Sequence, residues 1–179
     1  MEGTLVYLET ERLILRKPHV GDVQDYLEYA NSEFVQQYNA MSVVTCEAAE
    51  AEFANAKDDR SIVAMELKSN HKMIGLIYTQ EDSLRYKVGS KEISYHLRED
   101  ESRKGYMKEA LHALIGHYFE AEHLSCITAR CFLPNVASQR LLESLGFVKE
   151  GVLRKCVKGY QDVVFDDCLY SLTREDWLA

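Results

Sequence analysis

Long apolar runs are missing from this sequence of 179 residues. No stretch approaches the roughly 20 apolar residues that a membrane-spanning helix needs. The opening MEGTLVYLETERLILRK also lacks the uninterrupted apolar segment of a signal peptide. We therefore expect a cytoplasmic protein that has no membrane partner.

Paired metal-binding motifs are absent as well. The five cysteines are odd in number, and none forms a Cys-x-x-Cys pair or has a histidine nearby at zinc-ligand spacing. We expect reduced, mostly buried thiols and no metal. These cysteines are Cys46, Cys126, Cys131, Cys156 and Cys168. The histidines at 96, 112, 117 and 123 form no ligand pair either, which favours ordinary packing or surface roles.

Basic charge is in short supply. Asp and Glu number 29 against 21 Lys and Arg, which gives a net charge of −8. This balance argues against general nucleic-acid binding and favours a cationic partner. The composition, 46% hydrophobic and 28% charged, is typical of a soluble globular protein. A chain of this length fits one core, so residues 1–179 are expected to form a single domain.

Periodic patterns divide the chain into short strands and helices. Apolar runs predict strands at residues 11–18, 61–67, 72–79, 92–97, 124–133, 148–157 and 163–172. Helices are predicted at residues 22–30, 45–56, 105–120 and 135–145, with Thr45 as a cap and Gly146 as a stop. This order predicts an α+β fold with a mostly antiparallel central sheet and one βαβ crossover over residues 92–133.

The stretch SRKGYMKEAL, residues 102–111, gathers cations at the start of the clearest predicted helix. A helix start offers unpaired backbone N–H groups and the positive end of the dipole, which together bind phosphate, and Gly105 lets a ligand approach closely. Basic side chains oppose the dipole, so their presence predicts a multiply phosphorylated ligand. They are Arg98, Arg103, Lys104 and Lys108. The alternative is a solvated loop in which residues 99–101, all acidic, balance these cations.

Several segments in order resemble the GCN5-related N-acetyltransferase (GNAT) superfamily, and above all its branch of ribosomal-protein N-terminal acetyltransferases. They cover most of the chain, which makes the resemblance far more specific than any one motif. The segments are TERLILR (10–16), MIGLI (73–77), EISYHL (92–97), KGYMKEAL (104–111), NVASQRLLESLGF (135–147) and GVLR (151–154). The resemblance implies a GNAT-like fold and acetyl-CoA as cosubstrate.

Members of this family hold the pyrophosphate of acetyl-CoA on a Gln/Arg-x-x-Gly-x-Gly/Ala loop. The matching positions here are Ser102, Arg103, Lys104, Gly105, Tyr106 and Met107. Gly105 alone keeps the signature residue, since Ser102 replaces Gln or Arg and Met107 replaces the small residue. Backbone N–H groups make the contacts, and Arg103 offers a replacement for the missing charge.

The resemblance also implies where the pantetheine arm lies. In the family it pairs like an extra strand with the end of the strand at residues 92–97, here near Leu97 and Arg98, where two strands splay apart. Asn135 would face the pantetheine, and Arg140 would help to hold CoA. The alternatives are that Asn135 caps its helix and that Arg140 lies on a helix surface. For Asn135 both roles can coexist.

Acetyl transfer needs a neutral amine, a path for its proton and help for the departing thiolate. Glu92 is the candidate base, directly or through water; alternatively it belongs to the polar face of a half-buried strand. Many relatives place a thiolate-protonating tyrosine where this chain has Leu142. The ribosomal-protein branch more often carries Asn-x-x-Ser, so Ser138 is the candidate donor to the thiolate. Its alternative role is that of a polar residue in a first helical turn.

The leading hypothesis is an acetyl-CoA-dependent N-acetyltransferase that acts on a primary amine, the α-amine of a protein or peptide. One alternative is a small-molecule acetyltransferase for a polyamine, an aminoglycoside or an amino acid. A second alternative is a regulatory module that binds CoA without turnover. The oligomeric state stays open between monomer and homodimer.

Overall fold

The structure, a computed structural model, describes residues 5–179. Residues 1–4, with which the predicted domain begins, lie outside the described residues. Eight strands form one sheet in the order β1-β2-β3-β4-β5-β6-β8-β7. The strands are β1 Val6–Glu9, β2 Leu13–Arg16, β3 Ile62–Leu67, β4 Met73–Glu81, β5 Ser90–Leu97, β6 Cys126–Phe132, β7 Val148–Lys158 and β8 Val164–Thr173. The helices are α1 Val23–Ala30, α2 Glu33–Gln36, α3 Cys46–Ala54, α4 Tyr106–Glu120, α5 Val136–Ser144 and α6 Arg174–Leu178.

The sheet is antiparallel except where β5 pairs with β6. The predicted fold class is therefore confirmed, and so is the βαβ crossover, which runs from β5 through α4 to β6. Thr45 caps α3 by accepting a hydrogen bond from the amide of Ala48, as predicted. Gly146 follows α5 with a φ of 91°, a conformation that suits a glycine stop.

Alternating side chains on the strands build a core on each face of the sheet. On β3, Val63 and Met65 pack in the cluster that contains the buried stripe of α4. The intervening Ala64 packs on the other face, in a cluster with Tyr26 of α1 and Phe53 of α3. Each face is therefore covered by helices from a different part of the chain.

Strands β5 and β6 are hydrogen-bonded along only part of their length and then diverge. They pair from Ser90 to Ile93 on β5, opposite Cys126 to Ala129 on β6. Beyond that point β5 stays paired with β4 alone, and β6 continues beside β8. A gap therefore opens between the two central strands, as the family resemblance implies.

Of the five cysteines, three are buried and two, Cys46 and Cys156, are exposed, and all five are free thiols. Among residues 5–179, no helix combines the length and apolar character that a bilayer crossing requires.

Candidate active site

The gap between β5 and β6 opens into a cleft of about 610 Å³. Glu92, Ser94 and His96 of β5 and Arg130 and Phe132 of β6 line it, because alternate residues of a strand share a face. The helical side of the cleft is formed by α3, α5 and residues 38–44. The cleft thus joins the centre of the sheet to the surface.

Glu92 lies in the wall of this cleft, and only 6% of its surface is exposed. Its Oε1 accepts hydrogen bonds from Nη2 and Nε of Arg130, at 3.2 and 3.3 Å, and from Nε2 of Gln80 at 3.3 Å. No hydrogen bond from residues 5–179 reaches Oε2. The predicted base therefore faces the cleft, but one of its oxygens is occupied by an ion pair.

Asp167 of β8 is a second buried carboxylate of the cleft, at 3% exposure. It pairs in register with Phe132, which puts its side chain on the same face as Arg130. Its Oδ2 lies 3.9 Å from Nε of Arg130, whereas its Oδ1 is buried with no hydrogen-bond partner among the described residues. Burial raises the pKa of the Asp167 carboxyl; Arg130 opposes this rise and Glu92 adds to it.

The sequence patterns did not identify Arg130 or Asp167 as site residues. The available signal was a charged side chain at an inward position of a predicted strand: Arg130 interrupts the apolar run at 124–133, and Asp167 interrupts the run at 163–172. Their meeting with Glu92 depends on the order in which distant strands pair.

A pair of hydroxyls closes the opposite side of the gap. The Tyr95 hydroxyl lies 2.7 Å from Oγ of Ser138, and both side chains line the cleft. Burial raises the pKa of the Tyr95 phenol, while the hydrogen bond with Ser138 opposes the rise. Tyr95 therefore keeps its proton at neutral pH and can donate it. Leu142, at the position where many relatives carry a tyrosine, is fully buried.

Asn135 positions this pair from the start of α5. Its Oδ1 accepts a hydrogen bond of 3.1 Å from the backbone amide of Ser138, which is the expected helix cap. Asn135 also lines the cleft. Both roles proposed for this residue are thus compatible with its position.

His96 lies among tyrosine rings deeper in the cleft. Its ring centroid is 5.8 Å from those of Tyr26 and Tyr78 and 5.7 Å from that of Tyr29. Both ring nitrogens are buried without a hydrogen-bond partner in residues 5–179. Burial lowers the pKa of His96 to about 4, so the imidazole is neutral at physiological pH. Glu52 of α3 lines the same wall, and burial raises the pKa of its carboxyl against a hydrogen bond from Tyr78.

The start of α4 has the geometry of an anion site. Gly105 is the N-cap, with a φ of 85°, and no side chain caps the helix. Within residues 5–179 the amides of Gly105, Tyr106 and Met107 donate no hydrogen bond. Arg12 braces this turn: its guanidinium lies 4.4 Å from the ring centroid of Tyr106, and its Nη1 donates to the carbonyl of Lys104 at 3.0 Å. Arg12 thus stabilises the turn at residues 104–106 without bonding to its free amides.

The predicted cations divide into two groups. Arg98 pairs with Asp100 at 2.6 Å and with Glu28 at 3.2 Å, and Lys104 pairs with Glu101 at 2.9 Å. For Arg98 and Lys104 the contacts therefore agree with the alternative of a solvated loop in which acidic residues balance the cations. Three exposed cations make no ion pair within the described residues: Arg103 and Lys108 near the helix start and Arg140 on α5.

The remaining predicted contacts of CoA are backbone positions. Met107 is buried in the core below α4, so its amide and not its side chain is available to a ligand. Leu97 ends β5 beside the gap, packed against the same core. No group of three or more His, Cys, Asp or Glu side chains in residues 5–179 is arranged to hold a metal ion.

A family model described as an acetyltransferase (GNAT) domain matches residues 12–148. The chain belongs to the GNAT acetyltransferase family. Two relatives from Bacillus subtilis (strain 168) match it over nearly their whole length. The uncharacterized N-acetyltransferase YnaD is 28% identical over 177 residues, which cover 96% of this chain and 99% of the relative. The uncharacterized N-acetyltransferase YoaA is 32% identical over 174 residues, covering 93% and 96%. This chain is an acetyltransferase, as the sequence segments predicted.

Solved structures share the fold. A GNAT-family acetyltransferase from Bacillus anthracis has a TM-score of 0.83 at 24% identity, covering 97% of this chain and 99% of its own. The ribosomal-protein-S5-alanine acetyltransferase of Vibrio fischeri has a TM-score of 0.80 at 21% identity, with 98% and 99% covered. The spermidine N-acetyltransferase of Vibrio cholerae, solved with CoA and spermine, has a TM-score of 0.80 at 19% identity, with 95% and 100% covered.

Proposed function

We propose that this acetyltransferase transfers the acetyl group of acetyl-CoA to the α-amine of a protein or peptide N-terminus. The observation that carries the proposal is the gap between β5 and β6, which has a carboxylate on one side and a hydroxyl pair on the other. Such an arrangement can take a proton from an attacking amine and give one to a departing thiolate.

The chain's own groups fit acetyl-CoA. The free amides at Gly105, Tyr106 and Met107 suit the oxygens of a pyrophosphate, and Gly105 has no side chain that could hinder the approach of a ligand. Arg103, exposed and without an ion pair in residues 5–179, supplies charge in place of the loop's missing basic residue; Lys104 contributes its amide. Arg140 supplies a second cation from α5.

An extended chain with amide groups fits the free side of β5. From Ser94 to Leu97 this strand has a neighbour on the β4 side only, so its other edge can pair with the pantetheine amides as with an added strand. Leu97 and the backbone of Arg98 lie at the end of that edge. Asn135 faces the same cleft from α5.

The chemistry needs two proton movements. Acetyl-CoA, once bound, supplies an activated thioester. Glu92 accepts a proton from the attacking nitrogen through its free Oε2, directly or through a water molecule. The Ser138–Tyr95 pair donates a hydrogen bond to the sulfur as negative charge develops on it. Because burial raises the pKa of Tyr95, this donor is protonated at neutral pH.

The charge of the cleft favours a cationic acceptor. Glu52, Glu92 and Asp167 face a single cation, Arg130, among the lining residues. A protonated α-amine meets this surplus of negative charge at the end of the cleft where Glu92 and Asp167 lie. The likeness in fold to the Vibrio fischeri ribosomal-protein-S5-alanine acetyltransferase supports a protein acceptor.

A polyamine is a second candidate acceptor, and Glu52 is the observation that favours it. This carboxylate lies on the aromatic wall of the cleft, where a second ammonium group can meet it. The fold of the Vibrio cholerae spermidine N-acetyltransferase is similar to the same degree.

A panel of acceptors separates the two candidates. The purified protein is incubated with acetyl-CoA and with alanine-initiated peptides, spermidine, an aminoglycoside or free amino acids, and thiol release is followed. We expect the highest kcat/KM for peptides, and we expect mass spectrometry to find the transferred acetyl group on the α-amine. Faster transfer to spermidine favours the polyamine candidate. Tight binding of acetyl-CoA without transfer to any of these amines contradicts both.

A further inference from the structure

Asp167 carries a buried carboxylate oxygen that no group in residues 5–179 satisfies. A buried acceptor without a partner is unfavourable, and more so when the group is charged, so such atoms point to a missing ligand. Asp167 lines the cleft in which the acetyl group and the amine must meet. The unsatisfied oxygen therefore belongs to a side chain in the wall of the cleft, although Oδ1 itself has almost no exposed surface.

The local charge is also unbalanced. Arg130 approaches Glu92 to 3.2 Å and Asp167 only to 3.9 Å, so the guanidinium serves Glu92 first. Two carboxylates share one cation, which leaves one negative charge on the Asp167 side. Among the described residues, Arg130 from β6 and Glu92 from β5 are the charged groups that act on this carboxyl. An ammonium group restores the balance, because it brings one positive charge and three N–H donors.

We propose that Asp167 is the acceptor's ammonium-binding group and the first base of the reaction. This inference rests on the proposed function and adds a group to it. A primary amine is mostly protonated at neutral pH, since the pKa of an α-amine is about 8, and its lone pair is available only after one proton has left. Glu92 is less suited to that first step, because its Oε1 is already held by Arg130 and Gln80.

The proton balance is complete with the groups of the cleft. The ammonium gives its first proton to the Asp167 carboxylate, and the nitrogen lone pair then forms the N–C bond with the acetyl carbon. The C–S bond breaks, Glu92 accepts the second proton, and the hydroxyl pair supplies one to the sulfur. The two carboxylates release two protons to water and the hydroxyl pair recovers one, so each turnover releases one proton in net.

The raised pKa of Asp167 agrees with this role. Burial destabilises the charged form of a carboxyl, and either a nearby ammonium group or protonation relieves that cost. A buried carboxylate therefore accepts a proton more readily than an exposed one does. The preceding residue provides a control, since Asp166 does not line the cleft and its Oδ1 accepts a hydrogen bond of 2.8 Å from the backbone amide of Lys155.

The test compares Asp167→Asn and Asp166→Asn with the wild type. Acetyl-CoA affinity is measured by calorimetry, and transfer to alanyl-alanine amide and to spermidine is measured from pH 6 to 10. For Asp167→Asn we expect an unchanged acetyl-CoA Kd and a fall of about 10²-fold in kcat/KM for the amine at pH 7. Part of this loss returns as the pH passes the pKa of the amine, because the amine then arrives neutral. Asp166→Asn is expected to behave as the wild type.

An Asp167→Ala variant adds a readout that a structural role does not move. Formate can enter the space of the lost carboxylate, so we expect added formate to raise its transfer rate. Wild-type kcat/KM in Asp167→Asn overturns the inference, and so does a loss that is equal at every pH and insensitive to formate. A wild-type protein that acetylates neither amine overturns the proposed function itself, together with this inference.

Discussion

Replacing Ser138 by alanine removes one of the two hydroxyls that meet beside the gap. In the wild type the Tyr95 hydroxyl lies 2.7 Å from Oγ of Ser138, and Asn135 holds the Ser138 backbone at 3.1 Å. The substitution keeps that backbone contact, because the Asn135 cap receives an amide and not the hydroxyl. The variant therefore loses the proposed donor while the helix start remains capped.

The size of the loss depends on how far water is excluded from the sulfur when acetyl-CoA is bound. A donor to developing charge in a dry site contributes on the order of 2 to 4 kcal/mol to the transition state, which corresponds to a fall of about 30- to 900-fold in kcat. The KM for acetyl-CoA should change little, because the interaction strengthens only as the thiolate forms. Ser138→Ala also leaves the partly buried Tyr95 hydroxyl without its partner, which lowers folding stability by at most about 1 to 3 kcal/mol, the cost for a fully buried group.

Thiol release gives kcat and KM, and a melting curve on the same sample gives stability. Tyr95→Phe completes a double-mutant cycle with Ser138→Ala. If the two hydroxyls act as one donor, the double variant should be no slower than the slower single variant. Ser144→Ala is the matched control on the same helix, since its hydroxyl bonds the Leu141 carbonyl at 2.8 Å away from the cleft, and it should keep the wild-type kcat.

A folded Ser138→Ala protein with near-normal kcat refutes this reasoning. The same conclusion follows if kcat falls only in proportion to the fraction of unfolded protein, because the serine then serves the helix alone. Additive losses in the double variant show that Tyr95 and Ser138 act separately.

Three further predictions address other parts of the site. Gly105→Val should weaken acetyl-CoA binding by calorimetry and reduce stability, because φ is 85° and an added Cβ lies 3.3 Å from Arg12 Nη2; Gly151→Ala, with no atom within 4 Å, is the control. Glu92→Gln should lower turnover by roughly 10²-fold at unchanged acetyl-CoA affinity, and normal turnover at every pH would exclude it as the base. His96, whose ring nitrogens are buried, has a pKa of about 4 in the folded protein and about 6.5 in the unfolded chain. Protonation therefore favours the unfolded state, and up to about 3 kcal/mol of stability is lost as the pH falls from 6.5 to 4. His96→Phe should flatten that part of the urea-unfolding profile, and an unchanged profile would contradict the shift.

Sequence patterns predicted the elements that have a strong local signal. The stripe on α4 recurs at three- and four-residue steps, and Gly105 and Gly146 mark a start and a stop that the structure contains. The elements that were missed are short: β1 and α2 have four residues each, and α6 has five. Their windows are too short for a period to emerge, and α6 forms with the help of a capping box between Thr173 and Asp176.

The site was harder to predict than the elements. Glu92 and Ser138 were predicted as site residues because they fall within segments that resemble the family. Arg130 and Asp167 were not predicted, because they come together only when β6 pairs with β8. The two residues are 37 positions apart in the sequence, so no local pattern links them. Tyr95 reads as an ordinary aromatic strand residue, and only the packing of α5 beside β5 brings its hydroxyl to Ser138.

The alternation of β5 explains how one strand can serve both proton movements. Glu92 and Tyr95 are three residues apart, so their side chains leave the strand on opposite faces of the sheet. The carboxylates then meet Arg130 on the face covered by α1 and α3, and the phenol meets Ser138 on the face covered by α4 and α5. The two faces of the sheet are connected at this point, because β6 diverges from β5 after Ile93 and leaves a gap between the two strands. The proposed proton acceptors and the proposed proton donor thus lie on opposite faces of the sheet and meet only at the gap. An amine that enters from the carboxylate face can lose its protons there without neutralising the donor that the thiolate needs.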